Sequence, residues 1–269
     1  MSAMRNSSRQ LTGRVAMVTG GAGGICSMLA KGLASAGACV WLADMDAALG
    51  KKAESELRQM GAEANFRKVD VSDGAAVENL VDEICKSSGR IDILLNGAGT
   101  AARKSVFELT LAEWNRVLAV NLTGTFLCSQ AAARRMVGAG YGRIISVTAI
   151  NATSRPSPRN SPYAVSKAGI NVFTQSLAAE LLKLKVDVTI NAISPATVDT
   201  PFYRKDRSME QIQKTLASGS VAQPDDLLGL LLFLASPESA AISGQIIGHK
   251  NYMFSETVVN PERPDFPPP

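Results

Sequence analysis

The chain has no apolar run approaching the ~20 residues that cross a bilayer as a helix, which argues against a membrane-embedded protein. It also lacks any close pairing of cysteines. Cys26, Cys39, Cys85 and Cys128 lie far apart with no CxxC or CxxH spacing, so neither a structural zinc site nor a redox pair is expected, and no metal. They read as reduced thiols of a cytoplasmic protein. Charge of one sign is not concentrated anywhere: 28 Lys and Arg face 24 Asp and Glu along the whole chain, giving a net charge of +4 and no footprint for a nucleic-acid partner. No internal repeat and no Pro/Ser-rich linker divides the 269 residues. What is present is a composition 46% hydrophobic and 19% charged, suited to one large globular core.

The ends read differently from the middle. Met1 to Gln10 is polar with no apolar segment, unlike a secretory signal, and residues 1–12 are expected to be a flexible tail. Asn260 to Pro269 carries five prolines, which remove backbone donors, so residues 251–269 are expected to be an extended Pro-rich arm. Between them, short apolar or β-branched runs at 15–19, 39–43, 64–69, 91–95, 143–147 and 186–193 alternate with helical periodicity at 25–36, 47–60, 75–87, 111–137 and 163–183. That alternation specifies a single α/β domain over 13–250, a doubly wound Rossmann fold with a parallel sheet of about seven strands and helices on both faces. A polar stretch around Tyr203 to Arg207 suggests a substrate lid at about 201–219.

The first strand runs into Thr19-Gly20-Gly21-Ala22-Gly23-Gly24-Ile25 and then a helix. Glycines let a backbone turn tightly against a pyrophosphate, and the free N–H groups at a helix start attract its charge. A strand-to-helix turn with no ligand would look similar, so the companion residue matters. Asp44, about twenty residues on at the end of the second strand, can accept hydrogen bonds from an adenosine ribose and would repel a 2′-phosphate, which favours NAD over NADP. Asp70 and Val71 are expected to close the third strand where an adenine would lie, although helix capping by Ser72 or Asp73 explains that neighbourhood equally well. In Tyr163-Ala164-Val165-Ser166-Lys167 the i and i+4 spacing puts the tyrosine and lysine on one helical face. A nearby ammonium stabilises a phenolate and draws the tyrosine pKa toward the working range.

Together these residues resemble the short-chain dehydrogenase/reductase family from Gly13 to about Ile247. The resemblance implies a Thr-Gly-x-x-x-Gly-Ile loop at Thr19 to Ile25 (Gly20, Gly24 and Ile25 at the cofactor), an Asn-x-Ala-Gly turn at Asn96, Ala98 and Gly99, and cofactor contacts at Pro195 and Val198. It also implies Tyr163 as acid/base, Lys167 tuning it and holding the nicotinamide ribose, and Asn121 in a water relay. Asn121 reads equally as a polar residue kinking a long helix. The expected activity is hydride transfer between a nicotinamide cofactor and a small secondary alcohol or ketone, in a homo-oligomer packed through the helices at 111–137 and 163–183.

Four departures from the family pattern stand out. Cys26 replaces a glycine where the helix comes closest to sheet or cofactor, and is expected to tighten or obstruct that site. Gly97 replaces a second asparagine and is expected only to loosen its turn. Ala149 stands where a substrate-positioning serine belongs, and losing one such donor can cost on the order of 10²–10³ in rate. Ser146, Thr148 and Asn151 are candidate substitutes, with Asn151 preferred over Thr148 because alternate residues of a strand share a face. Last, Pro195-Ala196 replaces Pro-Gly, and the usual glycine-rich C-terminal strand becomes Gly244 to Lys250. That stretch includes His249, the chain's one histidine, which reads more readily as structural than catalytic. These changes motivate a second reading, a family member with a lost or altered redox role: dehydration, cyclisation, ligand binding or regulation.

Overall fold

The computed structural model describes residues 10–150, 158–204, 208–210, 213 and 221–249. Residues 1–9, Asn151, most of the expected lid and the whole arm at 251–269 lie outside them.

Seven strands form one parallel sheet in the order β3-β2-β1-β4-β5-β6-β7: β1 (Val15–Thr19), β2 (Cys39–Asp44), β3 (Ala64–Lys68), β4 (Ile93–Asn96), β5 (Tyr141–Val147), β6 (Asp187–Pro195) and β7 (Ile246–His249). This is the doubly wound Rossmann arrangement expected from the sequence. Every residue of β1 is buried because both faces of the sheet are covered. Its side chains divide by parity. Ala16 and Val18 join one core with Leu29 and Leu33 of α1 (Gly24–Ser35) and Leu57 of α2 (Ala47–Gln59). Val15 and Met17 join the other with Leu80 and Ile84 of α3 (Gly74–Ser88).

Local chemistry sets the helix ends. Asp46 caps α2 by accepting from Leu49 N at 2.9 Å, and Asp73 caps α3 by accepting from Ala75 N and Ala76 N. Gly89, at φ 75°, closes α3 in the left-handed conformation. The single helix expected over 111–137 is instead three segments. Thr110 and Glu113 form a capping box that starts α4 (Leu111–Leu118), a π-helical turn spans Ala119–Thr123, and α5 (Gly124–Ala139) completes it. Three further helices are α6 (Ser161–Leu184), the short α7 (Pro201–Arg204) at the start of the expected lid, and α8 (Leu228–Ala235). The third strand stops at Lys68, so Asp70 and Val71 lie in the connection beyond it.

Strand order reverses between β1 and β4. Chain continues outward from β1 through β2 to β3, then returns to β4 on the other side, leaving a crevice beyond the carboxyl ends of these strands. Thr19 is level with Ala43 of β2 and Asn96 of β4, so three loops open at one height.

Candidate active site

A cavity of about 1210 Å³ occupies this crevice. One half is lined by the turn after β1, with Gly20, Gly24 and Ile25, and by Asp44, Asp70 and Val71. Gly20 has φ 65°, and a β-carbon there would sit 2.8 Å from Ala98 N and Cα, so only glycine fits. Thr19 Oγ1 accepts from Gly97 N at 3.1 Å and Ala98 N at 3.3 Å, locking the turn after β4 to the turn after β1. Gly23 and Gly24 have open space where a β-carbon would be, and no side chain caps α1. The N–H groups of its first turn are therefore left without a side-chain cap. Asp44 Oδ2 accepts from Ala22 N at 3.1 Å and Oδ1 from Asp46 N at 3.1 Å, which fixes its carboxylate at the cavity edge. Asp70 is held below the usual carboxylate range by the Ser72 hydroxyl and then by Ser72 N. Capping of α3 falls to Asp73, leaving Asp70 in the wall.

The other half is lined by Ala98 and Gly99, by Thr148 and Ala149 beyond β5, by Tyr163 and Lys167 of α6, by Pro195 at the end of β6 and by Val198 beyond it. Lys167 is buried, and Nζ donates to Val147 O at 2.7 Å and stands 5.7 Å from the Tyr163 ring centre. Burial lowers its pKa to about 8, opposed by the nearby Cys26. Burial pushes the Tyr163 phenol up to about 12, and the charge that draws it down is Arg103. Lys167 thus stays beside the Tyr163 ring while anchored on the Val147 carbonyl, and Arg103 belongs to the loop after β4.

Asn96 and Asn121 do not line the cavity. Asn96 Nδ2 donates to Ser129 Oγ at 2.9 Å and Ser146 Oγ at 3.4 Å, bracing β4 against α5 and β5. Asn121, fully buried in the π-turn, accepts from Thr100 N at 2.8 Å and donates to Thr100 O and to Ser166 Oγ, each at 3.0 Å. Ser166 Oγ in turn donates to Tyr163 O at 2.7 Å. The Asn121 side chain therefore clamps the loop after β4 to the turn of α6 that carries Tyr163.

A family model described as short chain dehydrogenase matches residues 14–211. The chain belongs to the short-chain dehydrogenase/reductase family. It is 36% identical to a D-threitol dehydrogenase of Mycolicibacterium smegmatis over 241 residues, 87% of this chain and 90% of that one. It is 31% identical to a cyclopentanol dehydrogenase of Comamonas testosteroni over 239 residues, covering 86% and 93%. A solved structure of a protein from Sinorhizobium meliloti 1021, assigned as a short-chain alcohol dehydrogenase, superposes with a TM-score of 0.83 at 29% identity, over 89% of this chain and 95% of that one. Family membership makes the chain an oxidoreductase that uses a nicotinamide cofactor and a small-molecule substrate. Among the described residues, no helix is long and apolar enough to cross a membrane.

Seen as a family member, the chain's departures acquire physical meaning. A β-carbon on Gly97 would overlap Cys26 Sγ, so the thiol fills the space that a side chain at 97 would take. Gly97 is therefore not a loosened turn but the partner of Cys26. The thiol is buried and pushed up to about 12 by that burial, a neutral packing group against the turn after β4. Thr148 lines the cavity, yet its hydroxyl lies 3.3 Å from Ile193 O, to which it donates. Sequence reasoning missed Asn160, Arg103 and Arg159, all in the wall. Asn160 is the residue preceding α6, where an asparagine usually caps, but its side chain makes no capping bond and its Oδ1 is buried without a partner. The signal for it was its place one turn before Tyr163. For Arg103 the signal was its position four residues after Gly99.

Proposed function

We propose that this enzyme transfers a hydride between NAD and a small secondary alcohol or ketone, with Tyr163 as proton carrier. The observation that carries the reading is Tyr163 and Lys167 on one face of α6, in the wall of a cavity whose opposite half holds the glycine turn and Asp44. The cavity suits a dinucleotide: a diphosphate on the N–H groups from Gly20 to Ile25, the adenosine ribose on Asp44, the adenine beside Asp70 and Val71. Lys167 would then meet the nicotinamide ribose, with Ala98, Gly99, Pro195 and Val198 around the ring. When bound, the nicotinamide supplies the hydride acceptor or donor. In alcohol oxidation the carbon gives up its hydrogen with the bonding electron pair, and Tyr163 as the phenolate takes the hydroxyl proton. In ketone reduction Tyr163 returns it to the oxygen.

Asp44 supports NAD because its fixed carboxylate would face a 2′-phosphate. Ala149 cannot orient the substrate oxygen, and Asn160, whose Oδ1 is buried without a partner in the wall, takes that part by accepting from a substrate hydroxyl. The activities named for the relatives, on D-threitol and cyclopentanol, favour the redox reading over a non-redox one. A homo-oligomer through α5 and α6 fits the exposed Phe126, Val165 and Val172 on those helices. Unpaired thiols at all four cysteines suit the cytoplasm. The test is titration with NADH and NADPH by fluorescence, then turnover of an alcohol and ketone panel. Tyr163→Phe is expected to bind NADH within a few-fold of wild type and to lose at least 10²-fold in kcat. Failure to bind either cofactor, or full activity of the variant, would overturn the reading.

A further inference from the structure

We propose that the preferred substrate is a vicinal diol, or the hydroxy ketone formed from it, whose second hydroxyl donates to Asn160 Oδ1 while the reacting oxygen faces Tyr163. The choice of reacting oxygen rests on the reading of Tyr163 given above; the hydroxyl site on Asn160 does not.

The backbone before α6 is unusual twice over. Arg159 has φ 62°, in the left-handed region that glycine and asparagine tolerate best. The asparagine is instead the next residue, at φ −140° and ψ 21°, in the N-cap position. Asp46, Asp73 and Thr110, at the same position of their own helices, all accept from first-turn N–H groups through their side chains. Asn160 makes no such bond, and its Oδ1 is buried with no partner. A buried acceptor without a donor is costly, and a ligand that brings the donor removes the cost. Backbone outliers of this kind persist where the surroundings impose them, and they gather at ligand sites. Pro158, Arg159 and Asn160 all line the cavity.

The helix sets where Asn160 stands relative to Tyr163. Asn160 O accepts from Ala164 N at 3.0 Å, so α6 begins directly after it and Tyr163 takes the third helical position. N-cap and third position are the pair that a capping box joins, as Thr110 and Glu113 do at α4. Asn160 and Tyr163 share the cavity wall, so they serve two substrate oxygens that lie close together. Counting hydrogens decides which oxygen each takes. The reacting hydroxyl has a single hydrogen, and in oxidation it passes to the Tyr163 phenolate; the ketone oxygen has none and receives one. Neither has a hydrogen to spare for Oδ1, so the donor is a hydroxyl on the neighbouring carbon, which the reaction leaves unchanged. The Cβ–Cγ torsion of an asparagine is broad, and turning about it brings Oδ1 out of the wall to that donor. An ammonium in the same place is disfavoured. Arg103, Arg116 and Arg159 line this half, and the carboxylates of the wall among the described residues, Asp44 and Asp70, belong to the dinucleotide half.

The experiment compares butane-2,3-diol with 3-methoxybutan-2-ol, which keeps the oxygen but not its hydrogen, and with butan-2-ol. In steady-state oxidation with NAD, wild type is expected to favour the diol over both by about tenfold or more in kcat/KM, since a site built for a hydroxyl rejects an analogue that leaves its polar group unpaired. Asn160→Ala should collapse that ratio, and Asn160→Asp, which keeps an acceptor, should retain most of it; a purely structural role for Asn160 would move all three alcohols together. Ligand-observed NMR titration of wild type, with NADH and without cofactor, reads the same preference of diol over methyl ether with no turnover required. Equal handling of diol and ether by wild type, or an undiminished ratio in Asn160→Ala, overturns the proposal. A diol preference in binding without turnover of any alcohol would sustain the hydroxyl site and refute the redox reading. Turnover of all three alcohols with no preference would refute the hydroxyl site alone.

Discussion

Gly97→Ala is the substitution whose outcome the structure determines most directly. The added β-carbon would overlap Cys26 Sγ, come within 3.3 Å of Cys26 Cβ and lie 3.1 Å from Thr19 O. Neither neighbour yields easily: Cys26 is buried within α1, and Thr19 is a buried strand end. Overpacking of this kind costs about 1–3 kcal/mol. At roughly 2–4 °C per kcal/mol for a domain of this size, Tm should fall by several degrees. The same strain should reach function. Gly97 N and Ala98 N both donate to Thr19 Oγ1, and Gly20 packs against Ala98, so displacing residue 97 displaces the dinucleotide turn. NADH affinity should drop with stability. Cys26→Gly removes the obstruction, at its own cost of about a few tenths of a kcal/mol in helix propensity plus the lost packing of the thiol. In the double variant the penalty of Gly97→Ala should shrink, giving a coupling of about 1–3 kcal/mol by urea denaturation and recovered NADH binding. If the two changes are additive within ~0.5 kcal/mol, Cys26 and Gly97 are not a matched pair and the steric reasoning fails.

Three further expectations concern charge and hydrogen bonding. Lys167 has a folded-state pKa near 8, below its ordinary 10.5, so between those values the unfolded chain holds a proton that the native chain does not. Stability contributed at this site therefore rises with pH across that window. The difference in unfolding free energy between wild type and Lys167→Met should shift in favour of wild type by roughly 2 kcal/mol from pH 8 to 10; a pH-independent difference would contradict the burial argument. Asp44→Ser should weaken NADH binding about tenfold, worth ~1.4 kcal/mol, and narrow the gap to NADPH in the same titration; an unchanged NADH-to-NADPH ratio would remove Asp44 from cofactor choice. Asn160→Ala should lower kcat by about 10²-fold with little change in NADH affinity, and Ala149→Ser in that background should recover part of it; a full-rate Asn160→Ala enzyme would leave the substrate oxygen to another group.

The central strands were legible because they are short apolar runs buried on both faces, and β1 was recovered residue for residue as Val15–Thr19. Periodicity alone could not reveal the break at Ala119–Thr123, since a π-turn inserts one residue per turn without disturbing the apolar character of its flanks. The tyrosine and lysine were legible for a similarly local reason: an i, i+4 pair shares a helical face whatever surrounds it. What surrounds it was not. That Asn121 acts on Thr100, far along the chain from Tyr163, or that a thiol at 26 decides the size of residue 97, depends on loops meeting across the strand-order reversal, and no spacing rule encodes that meeting. The two surprises share one logic. Residues read singly as defects, a cysteine for a glycine and a glycine for an asparagine, offset each other: Cys26 Sγ fills the space that a side chain at 97 would take. Restoring a side chain at 97 alone should therefore disturb the turn unless Cys26 is changed with it.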